Sequence, residues 1–260
     1  MKVMVGGKKI NICEDGPSGE GPEPLIVFVH GAGGDSSVWE SQALGLSGRW
    51  RVLRLELPGH GESEGEGEKS IEAYAEWVKT AVREIAGSGR YVLAGHSMGG
   101  AVAIHIAASG PAGLAGIVLA GTGARLRVTP LIFKALEDDP EAFFQTIDRA
   151  AFGKEASAEV KDRVVERMRL CPVQVIYNDF VACDRFDMVG RLGDISVPAL
   201  VICGDQDRLT PVHYSQYLYR GIPGSRLVLV EGAGHMAAVE KPEEVNRAVD
   251  DFLEGLRSRS

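Results

Sequence analysis

The stretch Tyr91-Val92-Leu93-Ala94-Gly95-His96-Ser97-Met98-Gly99-Gly100-Ala101-Val102-Ala103-Ile104 leaves this chain few ways to fold. Residues 91–94 form a short apolar run that reads as a buried strand. Gly95-x-Ser97-x-Gly99 follows, and then an Ala-rich stretch of helical character. The result is strand, sharp turn and helix, with a serine at the apex. So tight a turn holds its apical residue in strained backbone geometry, and its flanks must be small. The turn lifts the hydroxyl clear of the sheet, at a helix N-terminus. Free N–H groups and the helix dipole there favour developing negative charge. A five-residue pattern arises by chance in a chain with 33 glycines. The strand before it and the helix after it give this one its weight.

The rest of the chain supplies the sheet for that strand. Residues 2–5 and 8–13 read as a hairpin about Gly6-Gly7. Residues 14–24, rich in Gly, Pro and Glu, read as a loop. Leu25-Ile26-Val27-Phe28-Val29 is a continuous apolar run, as expected of a strand buried on both faces. His30-Gly31-Ala32-Gly33-Gly34 follows it directly, and Ser36 or Ser37 is placed to cap a helix reaching about Leu46. A strand over 51–56 leads into Leu57-Pro58-Gly59-His60-Gly61-Glu62-Ser63. The acidic, Gly-rich residues 64–69 read as a solvated, mobile loop with no companion metal ligands. Ser70 caps a helix whose buried face carries Ile71, Tyr74, Val78, Val82 and Ile85. Residues 114–120 are another buried strand. Strands alternate with helices from 25 to 120, which predicts an α/β fold with a parallel sheet wound by helices.

The rhythm then changes. Residues 122–192 carry helical patterns, at 130–136, 140–152 and 157–170, and no convincing strand. The strand pattern resumes at 198–203, so this segment is an insertion within one domain. Thr210-Pro211 reads as the cap and first position of a helix, 226–230 as the last strand and 242–256 as the closing helix. The expected organisation is a core of residues 1–121 and 193–260, with 122–192 inserted.

A chain of 260 residues can bury a substantial single core. Its net charge of −8 argues against nucleic acid or an anionic membrane as partner. The N-terminus has no apolar leader pattern and no run approaches membrane-spanning length, which makes a cytoplasmic location the expectation. Cys13, Cys171, Cys183 and Cys203 form no C-x-x-C pair and read as reduced, mostly buried residues. No two histidines pair with carboxylates at metal-ligand spacing, so neither a catalytic metal nor a cofactor is expected.

A serine hydroxyl needs a base within hydrogen-bond reach, and the base needs an orienting carboxylate. Gly204-Asp205-Gln206-Asp207 follows one strand, and Gly232-Ala233-Gly234-His235 follows the last. Both lie beyond carboxyl ends of parallel strands, where such sheets place their ligand crevice. His235 is thus the expected base, and Asp205 and Asp207 are both candidates for the acid.

Together, His30-Gly31, Pro58-Gly59-His60-Gly61-x-Ser63, Gly95-His96-Ser97-Met98-Gly99-Gly100, Gly204-x-x-Asp207 and Gly234-His235 resemble the α/β-hydrolase superfamily from about residue 8 onward. The chain looks like the single-domain branch holding small esterases, lactonases, C–C hydrolases and haloperoxidase-like proteins. That resemblance implies a mostly parallel eight-stranded sheet flanked by helices, with 122–192 forming a helical cap over the site. It implies Ser97 as nucleophile, His235 as general base and then acid, and Asp207 at the end of Gly-x-x-Asp as the acid that orients it. The alternative position for the acid, after the sixth strand, is closed here, since Ala120-Gly121-Thr122-Gly123-Ala124 has no carboxylate. The implied oxyanion donors are the backbone N–H of Met98 and, from the loop after residues 25–29, that of Ala32. Glu56 departs from the family pattern, where Asp often precedes Leu-Pro-Gly-His-Gly.

The remaining histidines read as structural: His96 bracing the turn, His30 and His60 organising loops, His105 packed and His213 exposed. Phe133, Phe143, Phe144, Phe152, Met168, Ile176, Tyr177 and Phe180 are candidates for an apolar acyl pocket, against the simpler reading that they pack the insertion onto the core. Arg125 and Arg127 either meet a substrate carboxylate or are solvated. The expected activity is hydrolysis of a carboxylic ester of a small or medium acyl group, with a small-molecule carbonyl compound as the partner. C–C bond hydrolysis of a diketone uses the same triad and is the first alternative. A non-catalytic small-molecule binder on this scaffold is the second, and the intact triad argues against it. Aspartate-dependent dehalogenase or epoxide hydrolase chemistry is disfavoured, because residue 97 is Ser.

Overall fold

The computed structural model describes residues 1–16 and 24–258. Most of the loop expected at 14–24 therefore lies outside the described residues, while Glu14 and Asp15 belong to a strand. Eight strands form one sheet in the order β1-β2-β4-β3-β5-β6-β7-β8. They are β1 (Lys2–Val5), β2 (Lys8–Asp15), β3 (Leu25–Val29), β4 (Val52–Leu55), β5 (Tyr91–His96), β6 (Leu114–Ala120), β7 (Ala199–Gly204) and β8 (Arg226–Val230). β1 and β2 pair antiparallel, β2 pairs antiparallel with β4, and every pairing from β4 through β8 is parallel.

The apolar runs are continuous because the sheet is covered on both faces. Successive side chains point to opposite sides. Leu25, Val27 and Val29 of β3 join one core layer, with Leu93 of β5, α2 (Ile71–Ala86) and α3 (Met98–Ala108). Ile26 and Phe28 join the other, with Val92, Ala94, α1 (Glu40–Leu46) and the closing helix α10 (Pro242–Arg257). α3 is apolar all round because nearly all of it is buried.

Between β6 and β7 lie four helices, α4 (Pro130–Asp138), α5 (Pro140–Ala150), α6 (Ala158–Arg169) and α7 (Val173–Arg185). They share a third apolar cluster that also takes in Met236 and Val239, from beyond β8. α8 (Val212–Gly221) follows β7, and a short helix that the sequence pattern did not disclose, α9 (Ala237–Glu240), follows β8.

Three local expectations differ from the structure. Asp35, not Ser36 or Ser37, caps the turn before α1, accepting from the Ser37 N–H at 2.8 Å. Thr210 does not cap α8, whose N-cap is Pro211, because its hydroxyl is committed elsewhere. The acidic loop at 64–69 is held down. Glu64 Oε2 accepts from the Lys9 N–H, Glu68 Oε1 from the Trp77 indole, and the Glu66 carbonyl from Asn178.

The chain runs from β3 outward to β4 and returns to place β5 on the other side of β3. The strand order therefore reverses between β3 and β5. A crevice opens at the carboxyl ends of strands at such a reversal. The loop at 30–34 and the turn at Ser97 are the two segments that meet there.

Candidate active site

Ser97 has φ 51° and is the sole non-glycine residue with positive φ among the described residues. The turn forces it there, at a cost of about 1–3 kcal/mol that the surrounding fold must sustain. The flanking glycines are required by contact. A Cβ on Gly95 would lie 2.1 Å from the Gly99 carbonyl oxygen, and one on Gly99 2.4 Å from that of Val29. The apex is tied to β6 by the Ser97 N–H donating to Ala120 O at 2.9 Å and by Thr122 Oγ1 donating to Ser97 O at 2.7 Å. The Met98 N–H lies in the first turn of α3, where no preceding helical carbonyl is available to it.

His235 is delivered by the loop after β8. Its Nδ1 faces Asp207 Oδ2 at 2.9 Å, and both residues are about 95% buried. The Asp207 carboxylate is fully engaged. Oδ1 accepts from the N–H groups of Leu209 and Thr210, each at 2.8 Å, and Oδ2 also accepts from Thr210 Oγ1 at 2.8 Å. Burial opposes ionisation of Asp207, but His235 and these hydrogen bonds outweigh it and hold the carboxyl below its usual range. With Nδ1 donating to Asp207, Nε2 is the nitrogen left to act as a base. Asp205, the competing carboxylate, is turned away and accepts from the Gly232 N–H. Of the two acids left open by the sequence, the structure brings only Asp207 to His235.

His96 supports the histidine from below. Its Nε2 donates to the His235 carbonyl at 3.0 Å, and the two rings lie 4.7 Å apart. Complete burial and the facing His235 lower the His96 pKa to about 3, so it stays neutral. Glu240 was not singled out by sequence reading. Its carboxylate accepts from the N–H groups of Gly234 (2.9 Å) and Gly153 (2.8 Å), fastening the His235 loop to the inserted segment.

The loop after β3 is fixed with equal care. The Gly31 carbonyl accepts from His30 Nδ1 at 2.8 Å and from the Gly34 N–H at 3.1 Å. That carbonyl shares a planar trans peptide with the Ala32 N–H. Pinning the oxygen on one side therefore fixes the direction of the N–H on the other. His30 Nε2 accepts from the Leu57 N–H, so the ring is neutral, and burial together with the neighbouring His60 lowers its pKa to about 4.

A second buried histidine–carboxylate pair lies behind this loop. His60 Nε2 donates to Asp179 Oδ2 at 2.8 Å, and His60 Nδ1 lies 3.1 Å from Pro58 O. Both ring nitrogens face acceptors, so both carry hydrogen and the ring is an imidazolium. Burial disfavours that charge, but Asp179 outweighs it and holds His60 well above its ordinary value. Asp179 was also missed. A signal existed: it sits among Val175, Ile176, Ala182 and Cys183 on the buried face of α7, a lone carboxylate on an apolar stripe. Glu56 likewise braces loops, accepting from Ser36 Oγ, Asn11 Nδ2 and the Glu62 N–H.

Ser97, His235 and Ala32 line one cavity of about 390 Å³. Its walls are mostly apolar, including Leu126, Ile132, Ile147, Met168, Phe180 and Met236. Of the eight apolar candidates in the insertion, only Met168 and Phe180 reach it. Phe143, Phe144, Phe152 and Ile176 are buried in the third cluster, and Phe133 packs against Tyr177. Arg125 is ion-paired with Asp187 away from the cavity, whereas Arg127 lines it while donating to Asp184 O. Among the described residues no cluster of metal-ligating side chains occurs, and no helix is long and apolar enough to cross a membrane.

The sequence profile of the alpha/beta hydrolase family matches residues 26–248. The chain belongs to that family. Among curated relatives is a pimeloyl-[acyl-carrier protein] methyl ester esterase of Neisseria meningitidis serogroup C, 27% identical, with 89% of this chain and 94% of that protein covered. Among solved structures, a thermophilic esterase is similar with a TM-score of 0.86 at 32% identity, covering 98% of this chain and 97% of its own. The enol-lactonase of Burkholderia xenovorans LB400 superposes with a TM-score of 0.88 at 25% identity, covering 98% and 100%. The eight-stranded, mostly parallel sheet is the fold of this family.

Proposed function

We propose that this alpha/beta hydrolase cleaves a carboxylic ester of a small or medium acyl group through an acyl-enzyme at Ser97. The observation that carries the reading is the strained Ser97 sharing one apolar cavity with a His235 whose Nδ1 is held by Asp207. The esterases and the lactonase among its relatives support the same chemistry.

In this reading His235 Nε2 takes the Ser97 proton as Oγ attacks the ester carbonyl. The charge that develops on the carbonyl oxygen is met by the N–H groups of Met98 and Ala32, donors already fixed in direction before substrate arrives. His235 then protonates the departing alcohol. Water, deprotonated by the same nitrogen, releases the acid and restores Ser97. Residues 122–192 act as a cap that walls the cavity and excludes water. A cavity of about 390 Å³ with apolar walls suits an acyl chain better than a polar polymer.

The test is hydrolysis of p-nitrophenyl esters of increasing acyl length, with Ser97→Ala as control. Turnover that peaks at one chain length and disappears in the variant is the expected outcome. Absence of Ser97-dependent turnover on every ester, with cleavage of a diketone instead, would move the assignment to C–C bond hydrolysis.

A further inference from the structure

Asp179 stands outside the triad, yet its carboxylate binds two loops and a core helix. It is completely buried. Its Oδ2 accepts from the Gly33 N–H at 2.8 Å and from His60 Nε2 at 2.8 Å, and its Oδ1 accepts from Tyr74 Oη. Three segments far apart in sequence thus converge on one carboxylate: the loop after β3, the loop after β4, and α2. The carboxylate itself comes from α7, in the insertion.

Resting on the acyl-transfer reading above, we propose that Asp179 is a positioning residue for the oxyanion donor at Ala32. Ala32 lies between two peptide planes. The first carries its own N–H and is fixed by His30 and Gly34 through the Gly31 carbonyl. The second carries the Gly33 N–H and is fixed by Asp179. With both planes held, the backbone torsions at Ala32 have no freedom to turn its N–H away from the cavity. Release of the second plane frees one side of that residue, and the donor loses its fixed direction.

The position of the loop requires this outside support. Gly33 has φ 64°, and a Cβ on it would lie 3.2 Å from both Ile176 Cγ1 and Met168 Cγ. The loop therefore runs directly beneath α6 and α7, and Gly33 has no side chain of its own to anchor it there. A carboxylate bonded to an imidazolium is well suited to the task, because its orientation is set by His60 and Tyr74 and does not depend on the loop it holds. Phe180, the next residue on α7, lines the cavity. One helix thus presents adjacent residues to the substrate space and to the loop that supplies the oxyanion donor.

The experiment compares the full-length wild type with Asp179→Asn and Tyr74→Phe, using the best p-nitrophenyl ester and an alkylboronic acid. The boronic acid forms a tetrahedral adduct on Ser97 and depends on the oxyanion donors, whereas the carboxylic acid product does not. Rates are expressed per active site titrated, so that loss of folded protein does not register. An amide at 179 carries no charge to hold the His60 imidazolium, and its NH2 must face either Tyr74 Oη or the Gly33 and His60 donors, so the grip on Gly33 is weakened. The expected result for Asp179→Asn is a kcat lower by about 30-fold with KM within about threefold. Boronate affinity should fall in parallel with kcat, and product affinity should stay unchanged. Tyr74→Phe should show the same pattern at about threefold, and it decides the matter alone if Asp179→Asn does not fold. Wild-type kcat and boronate affinity in the folded variants would overturn the proposal while leaving Ser97 chemistry standing. Failure of the wild type to bind boronate, or full turnover by Ser97→Ala, would instead remove the reading on which it rests.

Discussion

Two histidine–carboxylate pairs are buried within this molecule, and they are built to opposite ends. In His235–Asp207 the carboxylate engages Nδ1, and His235 lines the cavity that Ser97 also lines. In His60–Asp179 the carboxylate engages Nε2, and the Pro58 carbonyl takes the other nitrogen. In the function proposed above, the first pair takes the Ser97 proton and returns it. The second has an acceptor at each ring nitrogen, and its charge persists well above the ordinary histidine range. The lesson is that a buried histidine beside an aspartate is not by itself a catalytic signature. What the second ring nitrogen faces decides the role.

Substitution at Asp207 should separate the pairs most sharply. Asp207→Asn is expected to lower kcat by about 10³–10⁴-fold, because the amide favours the wrong imidazole tautomer. Thermal unfolding should shift little, since Thr210 and the loop N–H groups remain to bond the amide oxygen. His60→Gln should do the reverse. Breaking a buried charged pair costs about 3–5 kcal/mol, so a large fall in Tm is expected, with a far smaller loss of kcat per active site. Equal effects on Tm and kcat in both variants would erase the distinction.

The smallest expected effect is on pH dependence. His30 and His96 are buried neutral, with pKa values lowered from 6.5 to about 4 and about 3. Below pH 6.5 the unfolded chain takes up protons that these rings refuse, so stability should fall as pH drops from about 6.5 toward 4. His60 runs the other way. Its folded pKa is raised, so its contribution is complete below 6.5 and is lost as pH rises through the folded value. Tm measured against pH for the wild type and His96→Asn checks this. The acid-side decline should be shallower in the variant, and identical slopes would remove His96 from the account.

The same contrast explains what could be read in the sequence. The turn at Ser97, the strands at 25–29, 114–120 and 226–230, and the placement of His235 after the last strand are written in local patterns of glycine and apolar residues. Their physics is short-range. Asp207 could be told from Asp205 only by resemblance, because two carboxylates in one loop differ only in which way the backbone turns them. Thr210 illustrates a misread local signal. Thr-Pro before a helix looks like a cap, yet the hydroxyl is taken by Asp207 and His235. Asp179 and Glu240 act through backbone N–H groups distant in sequence, Gly33 and Gly153 respectively, which no window along the chain reveals. The cavity wall was the least legible part. Whether an aromatic residue in the insertion meets substrate or its own cluster depends on how four helices pack, and most of the candidates turned inward.

The central claim is that Ser97 is the atom-bearing centre of the reaction. The most direct measurement is mass spectrometry of the protein quenched early in turnover of a slow p-nitrophenyl ester. The account predicts one acyl group per chain, on the peptide containing Ser97, released on further incubation and absent from Ser97→Ala. Turnover that proceeds with no acyl group on Ser97, or that persists undiminished in Ser97→Ala, would contradict it.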